Sequence, residues 1–493
     1  MLLVACGKEA EYAKVIPADV ELVATFDSQR ILNESGFLNT EGNESQKQFI
    51  ESLKKNLSAG ETELFEQILA NPSEVGVDWT QNFYAFVQEN TEISALVLPV
   101  IDAEKLQNSF LAFLGSKIKG RKFIDEEGYA WAAGRHYYIA VNDKVCILLT
   151  TDGKQNAETL KQQVAAWISQ DKSKSFVATK YHEMLLDLDG EIAVYASMKM
   201  LPENVSLMAS MAYSEEMDIS SIKYLSDVSF EKGKAVAKGR ILYEDDKMKQ
   251  WIKSQGDVCK ILDANSLSYL PKNTPLWFGV GVDGNDLYDR LLEHPTYGKQ
   301  LQSMSLPLDI EGVIRSIDGD LSLAYPNGFF VDVKNDQILR ICVGAITTMG
   351  RFIGFDLKEV EKNQYELVDE RHSVSRLLNF DAQLNMGMKD DSFYLMTKTG
   401  GMQKLPEEES LASAPWAKDV DNNLLFFVFN IREGSQLVDK YSNSRKKSKA
   451  VQDYFDYVTY SQTDIETNTI VLSFIDQQRN VLEQLLELYV QKF

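Results

Sequence analysis

The sequence predicts an α+β fold made of two homologous repeats, each a mainly antiparallel sheet packed with helices. Three observations carry the prediction. A unit reading aliphatic-Pro, turn, strand, Asp, helix occurs near the start and again near the middle of the chain. Hairpin signals follow each copy at matching places. Each half then runs strand, helix, strands, helix, hairpin, helix, hairpin, helix, an order that yields antiparallel sheets covered on one face by helices.

The first copy of the opening unit is Ile16-Pro17-Ala18-Asp19 leading into Val20–Asp27, with a helix expected to about Ser35. The second is Leu270-Pro271-Lys272-Asn273 leading into Leu276–Asp283, followed by a helix through Leu287, Tyr288, Leu291 and Leu292 that ends at His294-Pro295. Proline cannot extend an element on its N-terminal side and so punctuates the entry. Each aspartate suits a helix N-cap, because its carboxylate accepts an orphan N–H of the first turn.

Helical apolar stripes come next in the first half: Phe49, Ile50, Leu53 and Leu57, then Leu64, Phe65, Ile68 and Leu69, stopped by Asn71-Pro72. A third runs through Leu160, Val164, Trp167 and Ile168. These spacings are those of core-facing helices. Tyr137–Val141 and Val145–Thr150 flank Asn142-Asp143 as a hairpin, and 384–388 and 393–397 flank Lys389-Asp390-Asp391 as its counterpart. Residues 224–252 give a hairpin around Lys232-Gly233-Lys234 and then a helix. Residues 457–487 repeat that pattern, with Asp476 before a stripe of Val481, Leu482, Leu485, Leu486 and Tyr489. The resulting division is residues 1–11 as a leader and tether, 12–255 as the first repeat and 256–493 as the second, with the boundary near Gly256–Ser268.

The leader is Met1-Leu2-Leu3-Val4-Ala5-Cys6, followed by the polar Gly7-Lys8-Glu9-Ala10-Glu11. Two aliphatics, a small residue and then Cys resemble a bacterial lipobox, in which a peptidase cuts before the Cys and that residue carries lipid. Cys6 is the expected lipidation site. Only five residues precede it, whereas a secretory signal has a basic start and roughly 7–15 apolar residues. A longer signal peptide upstream is therefore expected. Two or more acyl chains anchor stably, so the expected place is the cell envelope, at an outer membrane, with the periplasmic or surface face left open.

Composition narrows the partners. With 493 residues, 44% hydrophobic, the chain can bury sizeable cores. No run of about 18 apolar residues occurs to span a bilayer. A net charge of −22 argues against nucleic acid and against docking on anionic lipid. Cys146 and Cys342 sit in apolar runs read as strands, and Cys259 near a helix end. Buried free thiols are expected for all three. The histidines, His136, His182, His294 and His372, are far apart and form no zinc-binding pair.

Catalytic constellations are sparse. Ser52-Leu53-Lys54-Lys55 fits S-x-x-K and Lys398-Thr399-Gly400 fits K-T-G, with Tyr325-Pro326-Asn327 as a stand-in for the motif between them. Ser444 to Lys447 matches S-x-x-K as well, and Ser52 and Lys398 fall in different repeats, so chance accounts for the set. Gly279-Val280-Gly281 lacks the third glycine of a dinucleotide fingerprint and reads as a close-packed strand. Asp187, Asp189 and Glu191, with Gly190, alternate like the start of a calcium loop but run into a strand after five residues. They are the weak calcium candidate; no other metal and no cofactor is expected. Arg445–Lys449 is the dense basic run, expected to be solvated. Of Tyr137 and Tyr138, and of Trp277 and Phe278, strand alternation turns one outward.

Four stretches resemble a known family: Ile16-Pro17 with Leu22-Val23, Gly190-Glu191-Ile192-Ala193-Val194-Tyr195, Gly319-Asp320-Leu321-Ser322-Leu323-Ala324, and Arg479-Asn480-x-Leu482. They look like the Bacteroidetes lipoprotein family called domain of unknown function 4836, over nearly the whole chain. The resemblance implies an envelope lipoprotein and supplies no catalytic residues. The expected role is a non-enzymatic binding or assembly module. The alternatives are an accessory glycan- or peptide-binding lipoprotein of an outer-membrane uptake system, and a hydrolase using carboxylates or Ser52. The expected partners are the membrane, through the N-terminal lipid, and a protein or glycan.

Overall fold

A computed structural model describes residues 11–37, 44–55, 57–88, 93–114, 118–134, 136–150, 157–198, 221–294, 297–303, 309–353, 356–369, 384–397, 403–435 and 452–492. The chain forms two compact units. The first holds the described residues before 212 together with those of Asp218–Glu244 and Asp476–Phe493; the second holds those of Asp245–Ile475.

Among the described residues, the first unit is a ten-stranded antiparallel sheet. Its strands are β1 (Val20–Phe26), β2 (Phe83–Gln88), β3 (Ser94–Pro99), β4 (Ile124–Glu126), β5 (Tyr129–Ala133), β6 (Tyr137–Val141), β7 (Val145–Thr150), β8 (Ile192–Ser197), β9 (Ile222–Phe230) and β10 (Lys234–Tyr243). Across the sheet they run 4-5-6-7-3-2-1-8-9-10. Pro17 ends the entry as expected: it bridges to Ser175, and the Phe176 N–H donates to the Ile16 carbonyl at 2.9 Å. Asp27 caps the helix Ser28–Glu34 by accepting the Arg30 N–H at 2.9 Å.

The second unit repeats the plan. Its strands are β11 (Cys259–Lys260), β12 (Leu276–Asp283), β13 (Ile317–Tyr325), β14 (Gly328–Val333), β15 (Asp356–Glu361), β16 (Gln364–Val368), β17 (Asn385–Lys389), β18 (Ser392–Met396), β19 (Leu425–Asn430), β20 (Phe455–Gln462) and β21 (Thr467–Phe474). Apart from the two-residue β11 beside the end of β12, they run 15-16-17-18-14-13-12-19-20-21. Position for position this is the first unit's order. The entry matches too: Pro271 bridges to Ser410, Leu411 N–H donates to Leu270 at 2.9 Å, and Asp283 caps its helix through the Asn285 and Asp286 amides at 2.9 and 3.3 Å.

Three expectations change. Each sheet carries core on both faces rather than one. In the first unit Tyr84, Phe86, Val97 and Tyr138 pack with Leu160, Val164 and Trp167 on one face. Ile139, Val141 and Cys146 pack with Leu106 and Phe110 of the helix Ala103–Leu114 on the other. Tyr137 thus faces away from Tyr138 as alternation demands, but into this second core instead of water. Likewise Trp277 is fully buried and Phe278 half-buried. Second, Cys342 lies in the helix Gln337–Ile353, whose Ile338, Leu339 and Cys342 face the core against Val331 and Phe393; an apolar run of that length fits a buried strand and a buried helix equally. Third, the units are drawn differently from the sequence halves. The helix Asp246–Gly256 belongs to the second unit and the terminal helix Val481–Lys492 to the first.

Candidate functional site

The matched strand orders allow the two sheets to be compared row by row. The capping residues Asp27 and Asp283 set the alignment. In the first unit Thr25 of β1 stands opposite Tyr84 of β2, Tyr84 opposite Val97 of β3, and Val97 opposite Ile147 of β7. In the second unit Gly281 of β12 stands opposite Asp320 of β13 and Asp332 of β14 opposite Ser392 of β18, and the Asp320 N–H donates to Asp332 where the β13–β14 register is irregular, between Ile317 and Leu321. Tyr84, Val97 and Ile147 are 0% exposed and share a core cluster with Tyr12, whose ring lies 5.9 Å from that of Tyr84. Counting back from the two prolines, Ser266 stands where Tyr12 does. One unit therefore fills this place with aromatic and aliphatic side chains, and the other lines it with carboxylates and hydroxyls.

The result in the second unit is a cavity of about 350 Å³. Asp320 and Asp332 lie in its wall, with Ser266, Ser322, Tyr269 and Phe330 around them. Asp263, Asp318, Asp390 and Asp391 add charge, and the exposed Lys389 and Lys404 sit at the rim. Local backbone explains the geometry. Gly319 has φ +144°, where a side chain is strained, and its missing Cβ would lie 3.0 Å from the Asp332 side chain. That irregularity brings the Asp320 N–H to the Asp332 Oδ2 at 3.0 Å. Ser392 Oγ donates to the other Asp332 oxygen.

Asp320 is 4% exposed. It accepts the Asp263 N–H on Oδ1 at 3.0 Å and on Oδ2 at 3.2 Å, and the Ala264 N–H on Oδ2 at 2.7 Å. Burial, opposed by these amides, pushes its pKa up to about 6. Burial raises that of Asp332 as well, against the pull of the Ser392 hydroxyl. Asp318 has its own counter-charges in Lys260, with which it pairs closely, and Lys334 at 3.7 Å. Ser322 Oγ donates to Ser266 Oγ at 3.0 Å, both residues buried. The Tyr269 hydroxyl, on a residue 6% exposed, has no hydrogen-bond partner among the described residues, while Lys404 stands 5.9 Å from its ring centre.

The residues singled out from sequence fall elsewhere. Asp187 and Asp189 are exposed, whereas Glu191 is buried and committed: one oxygen pairs with Arg30 and the other accepts the Phe230 N–H at 2.7 Å. Arg30 also donates to the Asp189 carbonyl at 2.6 Å. Among the described residues no three His, Cys, Asp or Glu are placed to hold a metal ion. The calcium candidate thus becomes a structural clamp between the first helix and β9. Ser52 Oγ donates to the Phe49 carbonyl of its own helix at 2.7 Å and Lys55 is exposed; Lys398–Gly400, Cys6, His372 and Arg445–Lys449 lie outside the described residues. Gly279 and Gly281 are packing glycines: a Cβ would fall 2.5 Å from the Trp277 ring and 2.1 Å from the Lys260 carbonyl. Asp320 and Ser322 lie inside the family-like stretch Gly319–Ala324, and the signal they carry is polar residues at alternate buried positions of a strand.

Fold and site together define an α+β protein of two antiparallel units whose described strands share one ten-strand order, and one of these units opens a polar cavity in its core. The chain belongs to the family described as domain of unknown function (DUF4836), whose model matches residues 12–482. No curated protein matches it. Among solved structures, crystal forms I and IV of TP0453 are similar at 8% identity with a TM-score of 0.27, covering 51% and 46% of this chain and 86% and 79% of that one.

Proposed function

We propose that this chain is a lipid-anchored, non-enzymatic binding module of the cell envelope. It is built from two homologous repeats, the second of which has turned part of its core into a ligand site. The observation that carries the reading is the exchange of Tyr12, Tyr84 and Val97 for Ser266, Asp320 and Asp332 at equivalent places of two sheets with one strand order. A buried polar group costs stability unless it is partnered. Keeping two carboxylates and two hydroxyls around an open space, where the other unit packs solidly, is the mark of a site maintained for a ligand. The polar tether after Cys6 and the net charge of −22 support attachment by lipid rather than by adsorption.

The test is a ligand screen read by thermal shift on the whole chain and on Ser266→Tyr, which restores the first unit's packing residue. Ligands that stabilise the wild type and leave the variant unmoved support the reading. A screen in which every hit acts equally on both counts against it.

A buried and a half-buried acid in one cavity also favour the hydrolase alternative, since a carboxyl whose pKa is pushed up to about 6 is suited to general acid work. Three amide contacts on Asp320 and two donors on Asp332 oppose it, because both carboxyls are held in place by the fold. Turnover of any glycoside or ester that disappears in Asp320→Asn would establish the hydrolase and displace the binding module.

A further inference from the structure

We infer that the cavity of the second unit takes a small organic ligand bearing a protonated amine. The inference rests on the binding-module reading and deepens it. Six aspartates and two lysines line the space, an excess of four negative charges, of which, among the described residues, only Asp318 is paired with cations outside the cavity, Lys260 and Lys334. The two deepest carboxylates are not saturated. A carboxylate has about four lone-pair sites. Asp320 uses one on Oδ1 and two on Oδ2, and Asp332 uses one on each oxygen. Three sites remain, and an ammonium group has three donors.

A second, separate feature points to a ligand. Tyr269 is 6% exposed and lines the same cavity, and its hydroxyl has no hydrogen-bond partner among the described residues. In the buried Ser266–Ser322 pair one hydroxyl donates to the other, which leaves the Ser266 proton without an acceptor among the described residues. A ligand that brings a cation to the aspartates and an oxygen or nitrogen acceptor to these hydroxyls satisfies the whole wall. A neutral polyol leaves the buried charge uncompensated, and an anion meets repulsion. The donor set does not suit a metal ion, since no three His, Cys, Asp or Glu converge among the described residues.

The experiment is calorimetric titration of the whole chain with putrescine, glucosamine, glucose and N-acetylglucosamine, repeated on Ser266→Tyr and Asp332→Asn. Glucosamine and its two relatives differ in the ammonium group and little else. At least one of the two amines is expected to bind at one site, with glucose and N-acetylglucosamine weaker by about tenfold or more. Ser266→Tyr should abolish the binding by filling the space, and Asp332→Asn, which keeps the volume, should weaken it by about tenfold. Melting temperature and far-UV dichroism establish that each variant is folded; if Ser266→Tyr is not, Asp332→Asn decides. Equal binding of glucose and glucosamine, lost in Ser266→Tyr, overturns the amine and leaves the cavity reading standing. Silence from both amines at millimolar concentration overturns the amine, and amine binding that neither variant disturbs overturns its placement in this cavity.

Discussion

At the scale of single residues, the two carboxyls Asp320 and Glu191 show opposite uses of burial. Asp320 has its pKa raised to about 6 because desolvation outweighs two backbone amides. A carboxyl whose folded value lies above its unfolded one binds the extra proton in the folded state. Its contribution to stability is therefore greatest below the ordinary aspartate range, falls as pH rises towards 6, and is level above that. Measured against Asp320→Asn, the wild type should gain stability on acidification from pH 7 to 4, by roughly 3 kcal/mol at most. Chemical denaturation of both proteins across that range tests it, and a difference that stays flat or grows with pH refutes the assignment. Glu191 instead holds Arg30 and the Phe230 N–H. Glu191→Ala orphans that amide and should cost about 1–3 kcal/mol. Millimolar calcium should leave the wild-type melting temperature unmoved, because the buried Glu191 carboxylate already has its charge paired with Arg30 while Asp187 and Asp189 are exposed; a calcium-dependent rise lost in Glu191→Gln would restore the calcium loop.

At the scale of elements, the terminal segment is the informative one. Val481 is fully buried, its N–H donating to the Glu231 carbonyl at 3.1 Å, and Asn480 Nδ2 donates to the Phe230 carbonyl at 2.7 Å. The Gly233 N–H reaches the Arg479 carbonyl at 3.0 Å, and Tyr489 packs edge-on against Phe49 with ring centres 5.7 Å apart. Truncation after Ile475 should accordingly loosen Glu44–Lys54 and the turn Glu231–Gly233, read as lost amide protection in hydrogen exchange. Loss confined to β20 and β21 would contradict this placement. Hairpins and capped helices were legible because turn residues and N-cap aspartates act locally: Asn142-Asp143, Lys389–Asp391, Asp27 and Asp283 all sit where the pattern put them. The strand reading of Cys342 failed because an apolar run carries no period that separates a buried strand from a buried helix. The cavity was illegible for a different reason. Asp320, Asp332 and Ser392 come from three strands, and only the pairing of those strands brings them together.

At the scale of the whole molecule, the proposed attachment to a membrane can be tested apart from what the folded units do. Among the described residues no helix is long and apolar enough to cross a bilayer. A surface with net charge −22 is repelled by anionic headgroups, and that repulsion is screened rather than reversed by salt. Attachment through lipid at Cys6 should then resist both high salt and alkaline carbonate, since neither weakens acyl insertion. Expressed from the full gene, the wild type should sediment with membranes under both washes, and Cys6→Ala should appear in the soluble fraction with an unchanged melting temperature. Protease added to intact cells then separates the two faces: digestion of the wild type marks a surface protein, protection a periplasmic one. A Cys6→Ala protein that still sediments after carbonate would show that something other than the lipid carries attachment, and the envelope reading built on the first six residues would have to be given up.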